Sequence, residues 1–372
     1  MRLQLGYDLS DDCKEDLNAI DAERYAVRAL IPGGLEDYFA RGARIFSTRG
    51  STAIEGNEVQ ERQAAGIVEG TVPPSDQQEL EVYNLAQAYD LAYQLTDDRS
   101  VQIDGGTIRA LNSVLQKGAT EPGAASRGIY RRPGGPEVTI RADRGRGVVL
   151  YQPPRSDHVA ELMEGYVEDV RRWRAEEPGP VAAALAHFAF VSIHPFENGN
   201  GRTARLLADM VLDLTGWSVD RMLSVSAAIH ESGGAYFDAL RATQGPAFRE
   251  SVDASPFVEY HTRQLRRAVD HLQQQVVWLV RTTEEISDAH GTDPSLSLLS
   301  WYLLNLGPIT SSAYARLIGV SQSTAVEKLR EQVRGGLLTR LGAGRSTRYQ
   351  LTSKVSERVA QRVAEEPSLY VA

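Results

Sequence analysis

The spacing of apolar residues along the chain predicts a mostly helical protein. In Gln77–Thr96 the apolar side chains recur every three or four residues, as on one face of a helix. These residues are Leu80, Tyr83, Leu85, Ala88, Leu91 and Leu95. Residues 156–176 repeat this pattern. Gly179–Ile193 is apolar at almost every position after Pro180, which predicts a central helix buried on all sides.

A β-hairpin is predicted between residues 127 and 154. Three β-prone pieces, "GIYR", "EVTI" and "VVLY", are separated there by glycine and proline turns. Because the surrounding segments are helical, these pieces indicate a hairpin that projects from a helical body.

The pattern changes from about residue 295. Three short helical segments with tight connections are followed by two β-prone pieces around a glycine-rich turn, "GAGRSTR". Three helices followed by a hairpin is the order of a winged helix-turn-helix domain. The predicted fold class is therefore mainly α, with a helical core that carries a β-hairpin flap and is followed by a winged helix-turn-helix domain.

Composition narrows the class of protein. The 372 residues are 42% hydrophobic and 24% charged, as in ordinary globular proteins. The first residues lack the apolar run of a signal peptide, and no stretch reaches the roughly 18 apolar residues of a membrane span. The single cysteine, Cys13, excludes an internal disulfide framework and a cysteine metal cluster. We therefore expect a cytoplasmic protein without a membrane partner. The net charge of −9 argues against a protein that binds nucleic acid with its whole surface.

One stretch, "SIHPFENGNGRTARLLADM" at residues 192–210, combines polar residues with helix breakers. His194 follows the buried helix, which Pro195 ends. The run from Gly199 to Gly201 allows unusual backbone angles and the close approach of a ligand. The helix that follows begins with free backbone N–H groups directed at this loop, an arrangement that suits a phosphate.

Two arginines strengthen the case for an anion site. Arg202 and Arg205 share one face near the positive end of this second helix, where further positive charge is unfavourable unless an anion binds. A polyphosphate would remove that conflict. A histidine beside a phosphate site suits a general base for an incoming hydroxyl group. The alternative is a capped helix–loop–helix with a structural His194 and solvated arginines.

The segment "HPFENGNGRTAR" resembles the signature of the Fic (filamentation induced by cAMP) family, H-P-F-x-(D/E)-G-N-G-R-x-x-R. The resemblance extends over the neighbouring helices and hairpin, from about Gly105 to Leu240. It implies a Fic-type helical core and a protein adenylyltransferase, which transfers AMP from ATP to a Tyr, Ser or Thr hydroxyl group of a protein. ATP and Mg²⁺ are the implied cofactors.

The resemblance also implies a role for each matched residue. His194 would be the catalytic base that deprotonates the target hydroxyl group. The nucleotide would be bound by Glu197, Asn198, Gly199, Asn200, Gly201, Arg202, Arg205 and Tyr236. Among these, the glycine-rich run would form the anion hole, the two arginines would hold the outer phosphates, and the tyrosine would contact adenine. Gly128, Ile129 and Tyr130 resemble the family's flap, which aligns the target segment by strand addition.

One position departs from the signature. Where the family has the acidic residue that binds Mg²⁺, this chain has Asn198, and its carboxylate, Glu197, stands one position earlier. An amide oxygen ligates Mg²⁺ with less electrostatic attraction than a carboxylate. Asn198 is the metal ligand that the resemblance predicts.

An upstream segment, "STAIEGN" at residues 51–57, resembles the inhibitory motif of the family, (S/T)-x-x-x-E-(G/N). The resemblance implies that Ser51 and Glu55 lie on a helix and that Glu55 pairs with Arg205, which would block the γ-phosphate site. The chain would then belong to the class with an N-terminal, intramolecular inhibitor. The alternative is a capping box at a helix start, formed by Thr52 and Glu55.

The C-terminal segment is locally basic. Between residues 316 and 348, seven basic residues stand against Glu327 and Glu331, a local charge of +5; the seven are Arg316, Lys328, Arg330, Arg334, Arg340, Arg345 and Arg348. The helix that contains "SQSTAVEKLREQV" would be a recognition helix for DNA, and "GAGRSTR" would be the tip of the wing. Dimerisation or protein docking is the alternative use of such a domain.

Four segments follow from these observations: an N-terminal helical region with the inhibitory motif (1–100), the Fic catalytic core (101–250), a helical connector (251–290) and the winged helix-turn-helix domain (291–372). The predicted function is a self-inhibited adenylyltransferase that acts on a target protein or on itself. The alternatives are removal of AMP, transfer of another phosphate-linked group, and a nucleotide-responsive DNA-binding regulator. The sequence leaves the oligomeric state open, including a homodimer.

Overall fold

The computed structural model describes residues 2–31, 35–120, 126–135, 137–141, 148–290 and 293–365. Contacts divide the chain into two compact units. The first consists of Met1–Tyr25 and Ala43–Val269, and the second of Ala26–Gly42 and Asp270–Ala372. This division differs from the four predicted segments, because the N-terminal region and the predicted connector each contribute to both units. The predicted boundaries stay a prediction.

Helices make up most of the first unit, and three of them continue into the second. In chain order they are α1 (Asp11–Leu30), α2 (Glu36–Ile54), α3 (Glu61–Val68), α4 (Gln77–Thr96), α5 (Gly105–Leu115), α6 (Val159–Glu176), α7 (Gly179–Ile193), α8 (Asn200–Leu214), α9 (Val225–Glu231), α10 (Ala235–Gln244) and α11 (Ser255–His290). The helices that continue are α1, α2 and α11. The bounds predicted for α4 and α7 are confirmed.

The centre of the first unit is the pair α7 and α8. Every residue of α7 except Val191 is buried, as its apolar sequence predicts, and α6 and α8 pack against it. Pro180 lies in the first turn, where its missing N–H needs no helical acceptor. Burial of this helix stabilises the core, because nearly all of its apolar surface is removed from water.

The described residues of the first unit include four short strands. β1 (Gln4–Gly6) pairs in parallel with β4 (Ser251–Asp253), with Leu5 opposite Val252. β2 (Ile140–Arg141) pairs antiparallel with β3 (Val149–Tyr151), which forms the predicted hairpin.

The strand predicted at "GIYR" is wrong. Gly128 has a φ of +67°, and its N–H donates to Oδ1 of Asn112 at 2.9 Å. The N–H of Arg131 donates to the carbonyl oxygen of Pro195 at 2.8 Å. Since these N–H groups are bonded to distant segments, the piece does not join the hairpin despite its β-prone residues.

The second unit has the element order that the sequence predicts, with one addition. Its further elements are α12 (Pro294–Leu306), α13 (Ser311–Leu317), α14 (Gln322–Arg334), β5 (Leu338–Leu341), β6 (Arg348–Leu351) and α15 (Ser353–Glu365). The side chains of Asp293, Thr310 and Ser321 accept backbone N–H bonds at the starts of α12, α13 and α14. The winged helix-turn-helix assignment stays a prediction.

Helix α15 was not predicted from the sequence. Val355 and Val359, one turn apart, are both buried in the core of the second unit with Leu299, Ile309, Leu329 and Leu337. Arg358 of α15 pairs with Glu285 of α11 at 2.8 Å. Across the part of the chain that the structure describes, no helix is long and apolar enough to span a membrane.

Candidate active site

His194 ends the central helix in an unusual conformation. It caps the C-terminus of α7 with a φ of +51°, in the left-handed region that costs a residue with a side chain about 1–3 kcal/mol. Its N–H donates to the carbonyl oxygen of Phe190 at 2.9 Å. Pro195 follows, and Phe196 is 1% exposed, so the chain turns back into the core immediately after the histidine.

The imidazole of His194 is held in its neutral form. Burial, together with the charge of Arg131, lowers its pKa to about 4, against opposing effects of the Val191 carbonyl and Glu55. At neutral pH the ring can therefore accept a proton, as a general base must.

The loop after His194 is fixed by amide side chains. Asn200 is buried, and its side chain bonds both the N–H and the carbonyl oxygen of Phe196, each at 2.9 Å. Gly199, with a φ of +79°, caps the start of α8 and has no room for a side chain, because Asn112 of α5 and Gln116, the residue that follows α5, lie against it. Asn112 also donates to the carbonyl oxygen of Asn198 at 3.1 Å.

Asn112 and Gln116 are site residues that the sequence analysis missed. Asn112 lies in the last turn of α5 and Gln116 caps its C-terminus four residues later, with 1% and 2% of their surface exposed. The sequence does contain a signal for such residues. Amide side chains on an otherwise apolar helix face must find hydrogen-bond partners when the face is buried, which indicates a polar site there.

Both signature arginines are buried at the start of α8. The Nε of Arg205 donates to Oγ of Ser51 at 2.8 Å, and its Nη2 donates to the carbonyl oxygen of Ser51 at 2.9 Å. Nη2 of Arg202 donates to Oδ1 of Asn198 at 3.3 Å, and its Nη1 lies 3.8 Å from a carboxylate oxygen of Glu81. Two buried cations therefore lie at the positive end of one helix, as an anion site requires.

Glu55 supplies an anion to this site. Its Oε1 lies 2.7 Å from Nη2 of Arg205, and a side chain at Gly201 would collide with the same carboxylate. Partial burial raises the pKa of Glu55, but the charges of Arg205 and Arg202 outweigh this effect and lower it below its ordinary value. The predicted pairing of Glu55 with Arg205 is thus present in the structure.

The capping-box alternative for Thr52 and Glu55 is wrong. Thr52 lies in the last turn of α2, and its hydroxyl donates to the carbonyl oxygen of Thr48 at 3.1 Å within that helix. The motif therefore ends a helix rather than beginning one. Ser51 is 0% exposed, and both its hydroxyl and its carbonyl oxygen accept from Arg205.

Tyr236 lies beside the arginine site but inside the core. It belongs to α10, is 3% exposed, and its hydroxyl lies 3.0 Å from Nε2 of His187. The guanidinium carbon of Arg205 stands 5.9 Å from the centre of its ring. Contact of Tyr236 with adenine stays a prediction.

The residues assigned to the flap surround the loop instead of forming a strand edge. The ring of Tyr130 packs against that of Phe196 with centroids 5.0 Å apart, while Ile129 is 40% exposed. The hairpin strands β2 and β3 follow further along the chain. Hydrogen bonding of a target by Gly128, Ile129 and Tyr130 stays a prediction, and β2 and β3 are the strands that could offer an edge.

The residues around Asn198 do not fit a bound Mg²⁺. Oδ1 of Asn198 accepts from the N–H of Gly199 at 2.6 Å and from the guanidinium of Arg202, so the oxygen faces donors, one of them cationic. Glu197 is half-buried beside it. No group of three or more histidine, cysteine or acidic residues converges as a metal site within the described ranges. The Mg²⁺ prediction stays without support.

Comparison with known proteins agrees with this geometry. Residues 102–212 match the model of the Fic/DOC family, and residues 297–352 match the model described as the C-terminal domain of DIP2311-like transcriptional regulators. A "protein adenylyltransferase Fic" of Nematostella vectensis is 25% identical over 292 residues, 74% of this chain and 61% of that protein. One of Drosophila ananassae is 30% identical over 207 residues, 55% of this chain and 38% of that protein.

Two solved structures share the fold. A Fic family protein from Desulfovibrio desulfuricans G20 has a TM-score of 0.56 at 23% identity, over 94% of this chain and 98% of that one. A Fic domain containing signaling protein from Bacteroides thetaiotaomicron VPI-5482 has a TM-score of 0.57 at 19% identity, over 69% and 96%. The helical unit thus has the fold of solved Fic proteins. Residues 102–212, which contain the signature, are the part of the chain that is similar to the Fic/DOC family in sequence. It spans about 61% and 38% of the two curated relatives.

Proposed function

We propose that this chain is a protein adenylyltransferase that transfers AMP from ATP to a Tyr, Ser or Thr hydroxyl group, in a target protein or in the chain itself, and that Glu55 restrains the reaction. The observation that carries the proposal is that a neutral His194, Arg202 and Arg205 all lie close enough to Glu55 at the N-terminus of α8 to lower its pKa. The relatives named protein adenylyltransferase support the assignment of the transferred group.

The reaction is an in-line displacement at the α-phosphorus. The target hydroxyl oxygen forms a bond to phosphorus while His194 takes its proton, and the bond to the bridging oxygen breaks, so that pyrophosphate leaves with the electron pair. The N–H groups at the start of α8 and the two guanidinium groups offset the charge that develops on the phosphates. Gly201 lets these groups approach the phosphates closely.

Restraint by Glu55 follows from competition for one cation. The carboxylate stands against Gly201 and on Arg205, where the outer phosphates of ATP would bind. Since a carboxylate and a phosphate cannot both occupy the site, ATP would bind in its reactive pose only after Glu55 moves away.

The family resemblance implies Mg²⁺, but Asn198 turns its oxygen toward Gly199 and Arg202. No step of the reaction described above passes through a metal. The neutralising charge is assigned to Arg202, Arg205 and the helix terminus.

Mass spectrometry tests the proposal directly. A lysate is incubated with ATP and the Glu55→Gly protein, and a mass increase equal to AMP on Tyr, Ser or Thr residues is expected. The Glu55→Gly, His194→Ala protein should add none. A mass increase that corresponds to another group would show that this group, and not AMP, is transferred. Loss of AMP from a previously modified protein would instead favour removal of AMP as the reaction. Undiminished labelling without His194 would overturn its role as base.

A second function, DNA binding, is favoured by one surface of the second unit. A cavity of about 440 Å³ lies between α14 and the β5–β6 hairpin, and three exposed arginines, Arg330, Arg334 and Arg340, line it with Ser311 and Thr347. Arginine and hydroxyl side chains on a groove of this kind suit contacts to a phosphate backbone. The match of residues 297–352 to a domain of transcriptional regulators supports the same proposal.

A further inference from the structure

Arg131 is a buried arginine whose bonds converge on the end of α7. Its side chain is 1% exposed. Nε donates to the carbonyl oxygen of His194 at 2.9 Å, and Nη2 donates to that of Ile193 at 3.1 Å. Nη2 also donates to the carbonyl oxygen of Pro154 at 3.0 Å, at the base of the β2–β3 hairpin.

The backbone of Arg131 adds a bond on the other side of the histidine. Its N–H donates to the carbonyl oxygen of Pro195 at 2.8 Å. Three consecutive carbonyl groups, those of residues 193, 194 and 195, are therefore all bonded by one residue. The histidine at the centre of this run has the left-handed backbone conformation, which persists only where surrounding contacts hold it.

The position of the charge also suits the helix. The last carbonyl groups of a helix have no partner within it and carry partial negative charge. Because Pro195 prevents the helix from continuing, another group must bond these oxygens. A fixed, planar guanidinium can bond several of them at once, whereas an ammonium group cannot do so in the same geometry.

We propose that Arg131 is a positioning residue of the active site, which fixes the backbone of His194 so that its imidazole faces the acceptor hydroxyl group. The proposal rests on the role of His194 as base under the proposed function. Arg131 acts through the histidine and does not itself contact the substrate.

The charge of Arg131 supports the same role. Two charged groups act on His194: Arg131, from the segment before the hairpin, and Glu55, from the end of α2. Arg131 lowers the pKa of His194, as burial does, and Glu55 raises it. Removing the positive charge should therefore move the pKa of His194 upward, toward its ordinary value. A residue that only supported the fold elsewhere would not produce this shift.

Three variants in the Glu55→Gly background separate these effects. Arg131→Gln removes the charge and most of the bonds, Arg131→Lys keeps the charge but not the planar fork, and Arg132→Gln changes the exposed neighbouring arginine as a matched control. The rate of AMP incorporation is measured at varied ATP and pH. The pKa of His194 is measured by NMR of its imidazole without nucleotide, with His194→Ala to assign the signal.

We expect kcat to fall about 10²-fold in Arg131→Gln, with KM for ATP changed less than about twofold, since misplacement of the base slows the chemical step. In this variant the pKa of His194 should rise. In Arg131→Lys, kcat should fall at least about tenfold while the pKa stays near that of the parent. Arg132→Gln should match the parent in both measurements.

An unchanged kcat in Arg131→Lys, or an unchanged pKa of His194 in a folded Arg131→Gln protein, would overturn the proposal. Thermal unfolding establishes that each variant is folded, and if Arg131→Gln does not fold, the kcat of Arg131→Lys decides. Failure of the proposed function appears separately, as absence of AMP incorporation by the Glu55→Gly parent, and the titration of His194 still tests Arg131 in that case.

Discussion

Oε1 of Glu55 lies 2.7 Å from Nη2 of Arg205, although 150 residues separate them along the chain. The arginine side chain is 1% exposed, whereas that of the glutamate is 42% exposed. The guanidinium of Arg205 is therefore fixed by its bonds to the buried Ser51, whereas the carboxylate of Glu55 lies on the solvent side of the pair. An arginine buried in this way needs an anionic partner, and the more exposed partner can be exchanged for another.

Replacing Glu55 with glycine should therefore raise AMP incorporation. A hydrogen bond between charged groups contributes about 1.5–3 kcal/mol, so its removal should increase the population of the reactive ATP complex about tenfold to a hundredfold. Labelling from radioactive ATP measures the effect. Glu58→Gly is the matched control, since Glu58 is an exposed carboxylate three residues further on. Equal labelling by wild type and Glu55→Gly would contradict restraint by this contact.

The elements that the sequence predicts best are those whose own residues determine them. α4 has the period of an amphipathic helix and α7 is apolar throughout, and both were predicted with the observed bounds. The "GIYR" piece was predicted wrongly, because its N–H groups bond Asn112 and Pro195, which no local pattern reveals. Propensity for a strand was outweighed there by long-range contacts.

The site divides in the same way. His194, Arg202 and Arg205 lie within one twelve-residue motif, so they could be predicted from the sequence. The contact with Glu55 was expected only from resemblance to a family, since 150 intervening residues carry no periodic signal. Arg131 lies in a segment that reads as part of a hairpin, and its function depends on the carbonyl groups of a different helix. Tertiary contacts of this kind cannot be read from spacing.

Asn198→Asp should make nucleotide binding more dependent on Mg²⁺. The amide oxygen now accepts from Gly199 and Arg202, and a carboxylate at this position would add the negative charge that Mg²⁺ prefers. Calorimetry in the Glu55→Gly background measures the affinity for a non-hydrolysable ATP analogue with and without Mg²⁺. The factor by which Mg²⁺ raises this affinity should be on the order of tenfold larger in Asn198→Asp than in its parent.

Asn198→Ala is the control for this change, because it removes the contact with Arg202 without adding charge. We expect the Ala variant to bind the analogue more weakly with and without the ion. An equal response to Mg²⁺ in the parent and in Asn198→Asp would show that residue 198 does not determine the metal dependence.

The arginine groove of the second unit should bind DNA through phosphate contacts. Replacing Arg330, Arg334 and Arg340 together with glutamine should weaken binding of a mixed-sequence duplex in an electrophoretic assay. The slope of log affinity against log salt should become shallower by about three, roughly one per lost phosphate contact. Lys354→Gln, on the exposed side of α15, is the control and should leave the slope unchanged. A wild-type protein that gives no shift, or a shift insensitive to salt, would contradict the prediction.

Buried histidines should make the first unit sensitive to acid. His261 is 1% exposed, and burial lowers its pKa from an ordinary value of 6.5 to about 4. The unfolded chain therefore binds a proton at this residue below about pH 6.5, while the folded chain does not until about pH 4. The contribution of His261 to the free energy of unfolding is therefore fully present above about pH 6.5 and decreases as the pH falls toward 4. The decrease is about 1.36 kcal/mol per pH unit, or about 3 kcal/mol in total for this residue.

His261→Phe should reduce that loss. Phenylalanine keeps an aromatic ring beside Phe257 and does not titrate, and Nδ1 of His261 has no hydrogen-bond partner among the described residues, so its removal leaves no new unpaired group. The midpoint of thermal unfolding of the first unit, measured between pH 4 and 7.5, should fall less steeply with acid than in wild type. His187 is also buried, with a pKa well below its ordinary value, so part of the slope should persist.

His158→Phe, outside the core, controls for exchanging a histidine for an aromatic ring. Equal dependence of the unfolding midpoint on pH in wild type and His261→Phe would contradict a neutral, buried His261, because protonation of such a residue in acid must destabilise the folded protein.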